Sequence, residues 1–339
     1  MTKTSPPQTA DRKNVHLDLA KSSLPENNHP LDAVKLPYCA LPECDLNAVS
    51  LNTEFMGVEL AAPLMITGMT GGTERAMSIN KVLAQTAQKH QIALGLGSQR
   101  ASLESGQSQS ELRHLAPNAV LIGNLGGAQL AGKDGLKLAH AAVEDIRADA
   151  LAIHLNPLQE AIQPEGDHDW RGVLAAIETA VGELNCPLLV KEVGAGLSGD
   201  VVRRLSAIGV RYVDVAAKGG TNWAEIELNR RQATDWAHYK PFLSYGLSLP
   251  DAITQGRAVS ENLCIIASGG VRNGLDVAKC LWLGADLVGM AGQILRAVED
   301  ESAKLHPKRL ALTLDNLQQQ LRLSLFLAGK SSVKAFKKA

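Results

Sequence analysis

Residues capable of acid, base or cation chemistry recur in this chain at the ends of short apolar runs. In the segment Leu151-Ala152-Ile153-His154-Leu155-Asn156, the residues Ala152, His154 and Asn156 alternate with Leu151, Ile153 and Leu155, and Gln159 and Glu160 follow. A period of two puts His154 and Asn156 on one face of a strand. Lys191 closes the run Leu188-Leu189-Val190, where an unpaired ammonium is costly. Three readings suit Lys191: a cation beside the carbonyl edge of a flavin, an ion pair with Glu192 or another carboxylate, or a desolvated lysine that forms a Schiff base. Two glycine-bearing segments, Ser268-Gly269-Gly270-Val271-Arg272-Asn273-Gly274 and Gly289-Met290-Ala291-Gly292, let the backbone approach an anion closely. Together they read as a phosphate site.

Such residues need elements that bring them to one place. Apolar runs at 64–66, 93–96, 120–123, 151–155, 188–191, 212–215, 264–267 and 287–290 read as eight strands. Between them the period lengthens to that of helices. Leu136, Ala139, His140, Val143 and Ile146 share one face, as do Trp170, Val173, Leu174, Ile177, Val181 and Leu184. Asn273 reads as the N-cap of a helix over 274–283 with Gly284 as its stop, and Ser248 with Asp251 as a capping box. Eight strand–helix units with right-handed crossovers predict an α/β fold, a (β/α)8 TIM barrel. No G-x-G-x-x-G follows the first strand, which disfavours a doubly wound sheet. The expected organisation is a flexible tail over 1–11, one barrel over 12–329 with an N-terminal arm, and a basic tail over 330–339. Residues 232–247 read as an insertion beside the sixth helix.

In a barrel of this kind the chemistry lies at the carboxyl ends of the strands. Polar residues fall there repeatedly: Thr67-Gly68-Met69-Thr70, Gly97-Ser98-Gln99-Arg100, Gly123-Asn124, Lys191-Glu192 and Lys218-Gly219-Gly220-Thr221. The formal charge of −1 over 339 residues leaves no footprint for nucleic acid or an anionic membrane, so phosphate binding must be local. Five cysteines without a C-x-x-C pair argue against a disulfide framework or a zinc site. The absence of a long apolar stretch implies a cytosolic protein.

Taken together these residues resemble the FMN-dependent type 2 isopentenyl-diphosphate isomerases. The resemblance runs from Arg12 to about Gly292: Arg12-Lys13-Asn14-Val15-His16 is similar to that family's R-K-x-x-H arm, and 154–160 to its H-x-N-x-x-Q-E signature. It implies FMN held by Thr67, Met69, Ser98, Asn124, Lys191, Thr221, Gly269, Gly270, Ala291 and Gly292. It implies a substrate diphosphate held by Arg12, Lys13, His16, Ser98, Arg100, His154 and Asn156, with Mg2+ on Glu160. Gln159 then lies against the isoprenoid. Gln159, Lys191 and Glu227 become the candidate catalytic residues. NADPH or NADH would reduce the flavin, and the family implies a homo-oligomer of four or more chains. One carboxylate beside a diphosphate suits Mg2+, which is usually bound by one or two carboxylates and phosphate oxygens.

Two other readings share parts of this pattern. FMN-dependent 2-hydroxyacid oxidases share the Lys191 position and the loop after strand seven. They carry S-N-H-G-G-R after strand six, where this chain has Ala216-Ala217-Lys218-Gly219-Gly220-Thr221, without the histidine and arginine. A non-catalytic flavin- or phosphate-binding protein would leave Gln159 and Glu160 without a purpose.

Overall fold

The computed structural model describes residues 6–22, 29–232 and 235–337; the side chains of residues 6–12 and 22 lie outside that description. Among the described residues the ten strands are β1 (Thr53–Phe55), β2 (Val58–Leu60), β3 (Leu64–Ile66), β4 (Ala93–Gly95), β5 (Leu121–Gly126), β6 (Ala150–His154), β7 (Leu188–Lys191), β8 (Tyr212–Asp214), β9 (Cys264–Ser268) and β10 (Leu287–Met290). The last eight close a parallel barrel in the order β10-β3-β4-β5-β6-β7-β8-β9. Its seam joins β10 to β3 with Val288, Gly289 and Met290 opposite Leu64, Met65 and Ile66.

The period of two sorts each barrel strand into an outer and an inner face. Outward residues such as Leu64, Ile66, Leu151, Ile153 and Val190 join the core shared with the surrounding helices. Inward residues Met65, Ala93, Ile122, Ala150, Ala152, Leu189, Ile266 and Leu287 form a second cluster inside the barrel. The hairpin of β1 and β2 adds Phe55 and Leu60 to that inner cluster, and Phe55 meets Tyr212 edge-on with ring centroids 5.8 Å apart. It plugs the amino-terminal end of the barrel, which leaves the carboxyl end for a ligand.

The helix caps follow from side-chain chemistry. Asn273 Oδ1 accepts from Asp276 N at 2.9 Å to start Gly274–Trp282, and Gly284 turns away with φ 110°. Ser248 Oγ accepts from Asp251 N and donates to Asp251 Oδ2 at 2.6 Å, so the capping box forms. The helix expected from Trp170 begins at Val173, because Gly172 sits in the left-handed region at φ 80°.

Both expected tails carry helical segments. Residues 6–11 open the helix Pro6–Ser22, on which Leu17 and Ala20 are buried. At the other end Val333–Lys337 is helical; Phe336 is fully buried beside Trp282, and Val333 N donates to Ser50 O at 3.1 Å. Residues 1–5, 23–28 and 338–339 lie outside the described set. Of the insertion, Trp236, Tyr239 and Leu243 pack on Ala224 and Leu228 of the helix Trp223–Asn229. No helix among the described residues is long and apolar enough to cross a membrane.

Candidate active site

One pleat step above the apolar interior, the inward face turns polar. Met65 is followed two residues on by Thr67, Ile122 by Asn124, Ala152 by His154, Leu189 by Lys191, Tyr212 by Asp214 and Ile266 by Ser268. Side chains two apart point the same way. The strands therefore deliver a ring of six polar side chains at the carboxyl end. Gly95 and Gly289 leave the remaining inward places open, and a Cβ on Gly289 would collide with Thr67.

Above the ring lies a cavity of about 1710 Å³. Lys13, His16, Thr67, Met69, Ser98, Arg100, Asn124, His154, Asn156, Gln159, Glu160, Lys191, Thr221, Gly269, Gly270, Ala291 and Gly292 all line it. Glu227 stands one layer behind, in contact with Gln159. The main chain of Arg12 belongs to the N-terminal helix, and its side chain lies outside the described residues.

Hydrogen bonds fix several of these groups. Asn124 Nδ2 donates to Leu96 O at 2.8 Å, so its Oδ1, 2.8 Å from His154 Nδ1, is the acceptor of the imidazole proton. His154 Nε2 is left without a proton. Burial, then the charges of Lys191 and Lys13, push the His154 pKa down to about 3. The ring is neutral at physiological pH.

Asn156 Nδ2 donates to Gln159 Oε1 at 3.1 Å and to Glu160 Oε1 at 2.9 Å, while Asp167 N donates to Glu160 Oε2 at 2.8 Å. Gln159 Nε2 donates to Glu227 Oε1 at 3.1 Å. Glu227 is fully buried, with His16 Nε2 3.0 Å from Oε1 and Arg230 Nη1 on Oε2. Burial alone would raise its pKa. The hydrogen bonds and charges of His16, Gln159 and Arg230 outweigh burial and hold the carboxyl at about 2. Glu227 is therefore ionised, and both ends of the Gln159 amide are oriented.

The alternative pairing of Lys191 with the neighbouring carboxylate is not what forms. Lys191 Nζ donates to the main-chain oxygen of Glu192 at 2.5 Å and lies 3.9 Å from Asp214 Oδ2. The Glu192 carboxylate turns away, and its Oε2 accepts the main-chain N–H groups of Val193, Gly194, Ala195 and Gly196. It shapes the loop after β7, of which Val193 and Gly194 face the cavity.

The phosphate loops are built as their glycines require. A Cβ on Gly270, at φ 75°, would collide with Gly219 O and with the His29 ring behind it. His29 is buried and comes from a segment that Arg272–Asp32 and Lys279 Nζ–Leu31 O contacts tie to the loop. His29, Asp214 and Arg296 did not emerge from sequence reasoning. The pleat count from Tyr212 would have found Asp214.

The donors present suit a flavin phosphate and ring. Glycine backbones are free for close approach, Lys191 lies at the floor, and the buried oxygens Thr70 Oγ1 and Gln293 Oε1 at the cavity wall have no hydrogen-bond partner. Among the described residues no group of three His, Cys, Asp or Glu could hold a metal ion. A cation at Glu160 would thus draw its other ligands from phosphate oxygens and water, as Mg2+ commonly does.

Comparison with known proteins agrees with this geometry. The model of the family described as FMN-dependent dehydrogenase matches residues 151–339. An isopentenyl-diphosphate delta-isomerase from Xanthobacter autotrophicus is 44% identical, over 96% of each chain. Relatives of the same name from Pseudescherichia vulneris and Halobacterium salinarum are each 43% identical; the matches cover 97% and 98% of this chain and 95% and 93% of theirs. Among solved structures, mandelate oxidase with benzoyl-formic acid superposes with a TM-score of 0.66 at 18% identity, covering 99% of this chain and 98% of the other. A mandelate oxidase variant with a monooxide FMN adduct gives 0.66 at 17%, covering 96% and 90%. At that identity the likeness speaks for the fold alone.

Proposed function

The chain belongs to the isopentenyl-diphosphate delta-isomerases, and from that premise we propose how the groups around its cavity divide the work. The reaction converts isopentenyl diphosphate to dimethylallyl diphosphate: a proton is added at the terminal methylene, another is lost from C2, and no net electrons move. FMN is the cofactor, and bound in its reduced state it would supply an electron-rich ring that stabilises cationic charge developing in the substrate.

The observation that carries the proposal is the single turn bearing Asn156, Gln159 and Glu160 over a floor that contains Lys191. Lys13, His16 and Arg100 at the cavity wall, with Arg12 on the same N-terminal helix, grip the diphosphate. Ser98, His154 and Asn156 complete that grip, the anionic diphosphate favouring the protonated His154 ring that donates at Nε2. Glu160 would hold Mg2+, which would supply positive charge against the diphosphate. Thr67, Met69, Asn124, Thr221 and the backbone at Gly269, Gly270, Ala291 and Gly292 would hold FMN, where Lys191 would stabilise negative charge on the reduced ring. Gln159, oriented from both ends, sets the isoprenoid against the ring. Glu227 holds Gln159 in place and is the further candidate for proton handling beside it.

NADPH or NADH is the proposed source of electrons for the flavin. A cytoplasmic location and assembly of four or more copies belong to the same proposal, on the family resemblance. An anaerobic assay with FMN, NADPH, Mg2+ and isopentenyl diphosphate, leaving each out in turn, tests these details. Product should require reduced flavin and metal; turnover with oxidised flavin, or undiminished by a chelator, would remove that component.

A further inference from the structure

The polar ring holds one carboxylate that the proposed reaction does not use. Asp214 is fully buried at the end of β8, two residues after Tyr212 on the inward face. Its Oδ1 accepts from Ser268 Oγ at 2.6 Å and from Ala216 N at 3.1 Å. Its Oδ2 has no hydrogen-bond partner and lies 3.9 Å from Lys191 Nζ. Lys191 is held in place by a different acceptor, the main-chain oxygen of Glu192. Asp214 therefore adds charge next to Lys191 without supplying the bond that orients it.

The geometry points to Asp214 as a standing counter-charge that competes with reduced FMN for Lys191 and so sets the reduction potential of the bound flavin. A buried ammonium needs a negative partner. Before the ring is reduced, Asp214 is that partner; once the ring carries negative charge, Lys191 is shared between the two. Burial pushes the Asp214 carboxyl up, against the opposing pull of Lys191, the Ser268 hydroxyl and Ala216 N–H. Asp214 is a positioning residue for charge and does not face the cavity itself, whereas Lys191 and Ser268 do.

This inference rests on the reading of the cavity as an FMN site, and the test separates the two. The unmodified protein is loaded with FMN and titrated reductively against reference dyes; failure to bind FMN would sink the site reading itself. Asp214→Asn keeps an oxygen for Ser268 and Ala216 but removes the charge. Its potential should rise, with the preference for reduced over oxidised FMN increasing on the order of tenfold, about 30 mV for a two-electron couple. A purely structural Asp214 would leave the potential where it was, and an unchanged or lowered value overturns the inference. In a Lys191→Gln background the shift should fall to less than half, whereas an undiminished shift rules out action through Lys191. Ser268→Ala provides an independent reading should Asp214→Asn not fold. It strips a donor from Asp214, which favours the uncharged carboxyl, and should raise the potential as Asp214→Asn does; an unchanged or lowered value counts against the assignment.

Discussion

Replacing Glu227 by Gln removes a single charge at the point where the N-terminal helix, Gln159 and Arg230 meet. The carboxyl is held at about 2 against an ordinary 4.5. At ~1.4 kcal/mol per pKa unit, ionisation of this group contributes about 3 kcal/mol to folding at neutral pH. Because the folded value is depressed, that contribution is present in full above the unfolded value and is lost as pH falls from 4.5 towards 2. Arg230 keeps Glu165 at 2.8 Å in the variant, so it does not become an orphaned buried cation. Equilibrium urea unfolding of the apoprotein at pH 7 should show the variant about 3 kcal/mol less stable, with the gap closing below pH 4.5. Turnover should fall further, by roughly a hundredfold or more, as expected when a positioned proton-handling group is lost. Turnover within threefold of the parent and stability within about 0.5 kcal/mol at pH 7 would refute both roles, since surface substitutions cost no more than that.

Other expectations follow from single contacts. Glu299 is buried and accepts from Lys21 Nζ at 2.8 Å and from Arg75 at 2.6 and 2.9 Å, so it anchors the helix that carries Lys13 and His16. Glu299→Gln should raise KM for isopentenyl diphosphate on the order of tenfold while leaving FMN affinity alone, because one charged hydrogen bond contributes ~1.5–3 kcal/mol; an unchanged KM would dissociate the anchor from substrate binding. Gly270→Ala introduces a Cβ against Gly219 O and should abolish saturable FMN binding, read from quenching of flavin fluorescence; normal affinity would mean that this loop does not hold the phosphate. For His154, with its folded pKa depressed to about 3, stability is retained above 6.5 and lost as pH falls towards 3. The ring-proton NMR shift of His154 in the apoprotein should stay flat from pH 8 to 5, and a midpoint near 6.5 would show that the ring is open to water.

The barrel was legible because its strands are short, apolar up to their carboxyl ends and separated by helical periods. The runs at 64–66, 188–191 and 287–290 coincide with β3, β7 and β10. The hairpin of β1 and β2 escaped notice because each strand has three residues and a glutamate at its centre, too little pattern for a period of two to register. The N-terminal helix was hidden by its polarity; its buried contacts rest on residues such as Leu17 and Ala20, whose places become apolar only once the barrel is there to receive them. The terminal Phe336 was obscured by surrounding lysines. In the site, strand-end glycines and the 154–160 motif announced themselves by type and spacing. Asp214 did not, because it sits inside a run that reads as apolar, and the direction of the Glu192 side chain depends on a turn that only the folded backbone defines.

The most direct test of the central claim follows isopentenyl diphosphate by 1H NMR under anaerobic conditions with FMN-loaded, fully reduced protein and Mg2+, while the flavin absorbance is recorded. The account predicts that the terminal methylene signals give way to those of dimethylallyl diphosphate over many turnovers per flavin, with the absorbance of the reduced state unchanged. Absence of product, or product formed only as the flavin is oxidised in step with it, would contradict it.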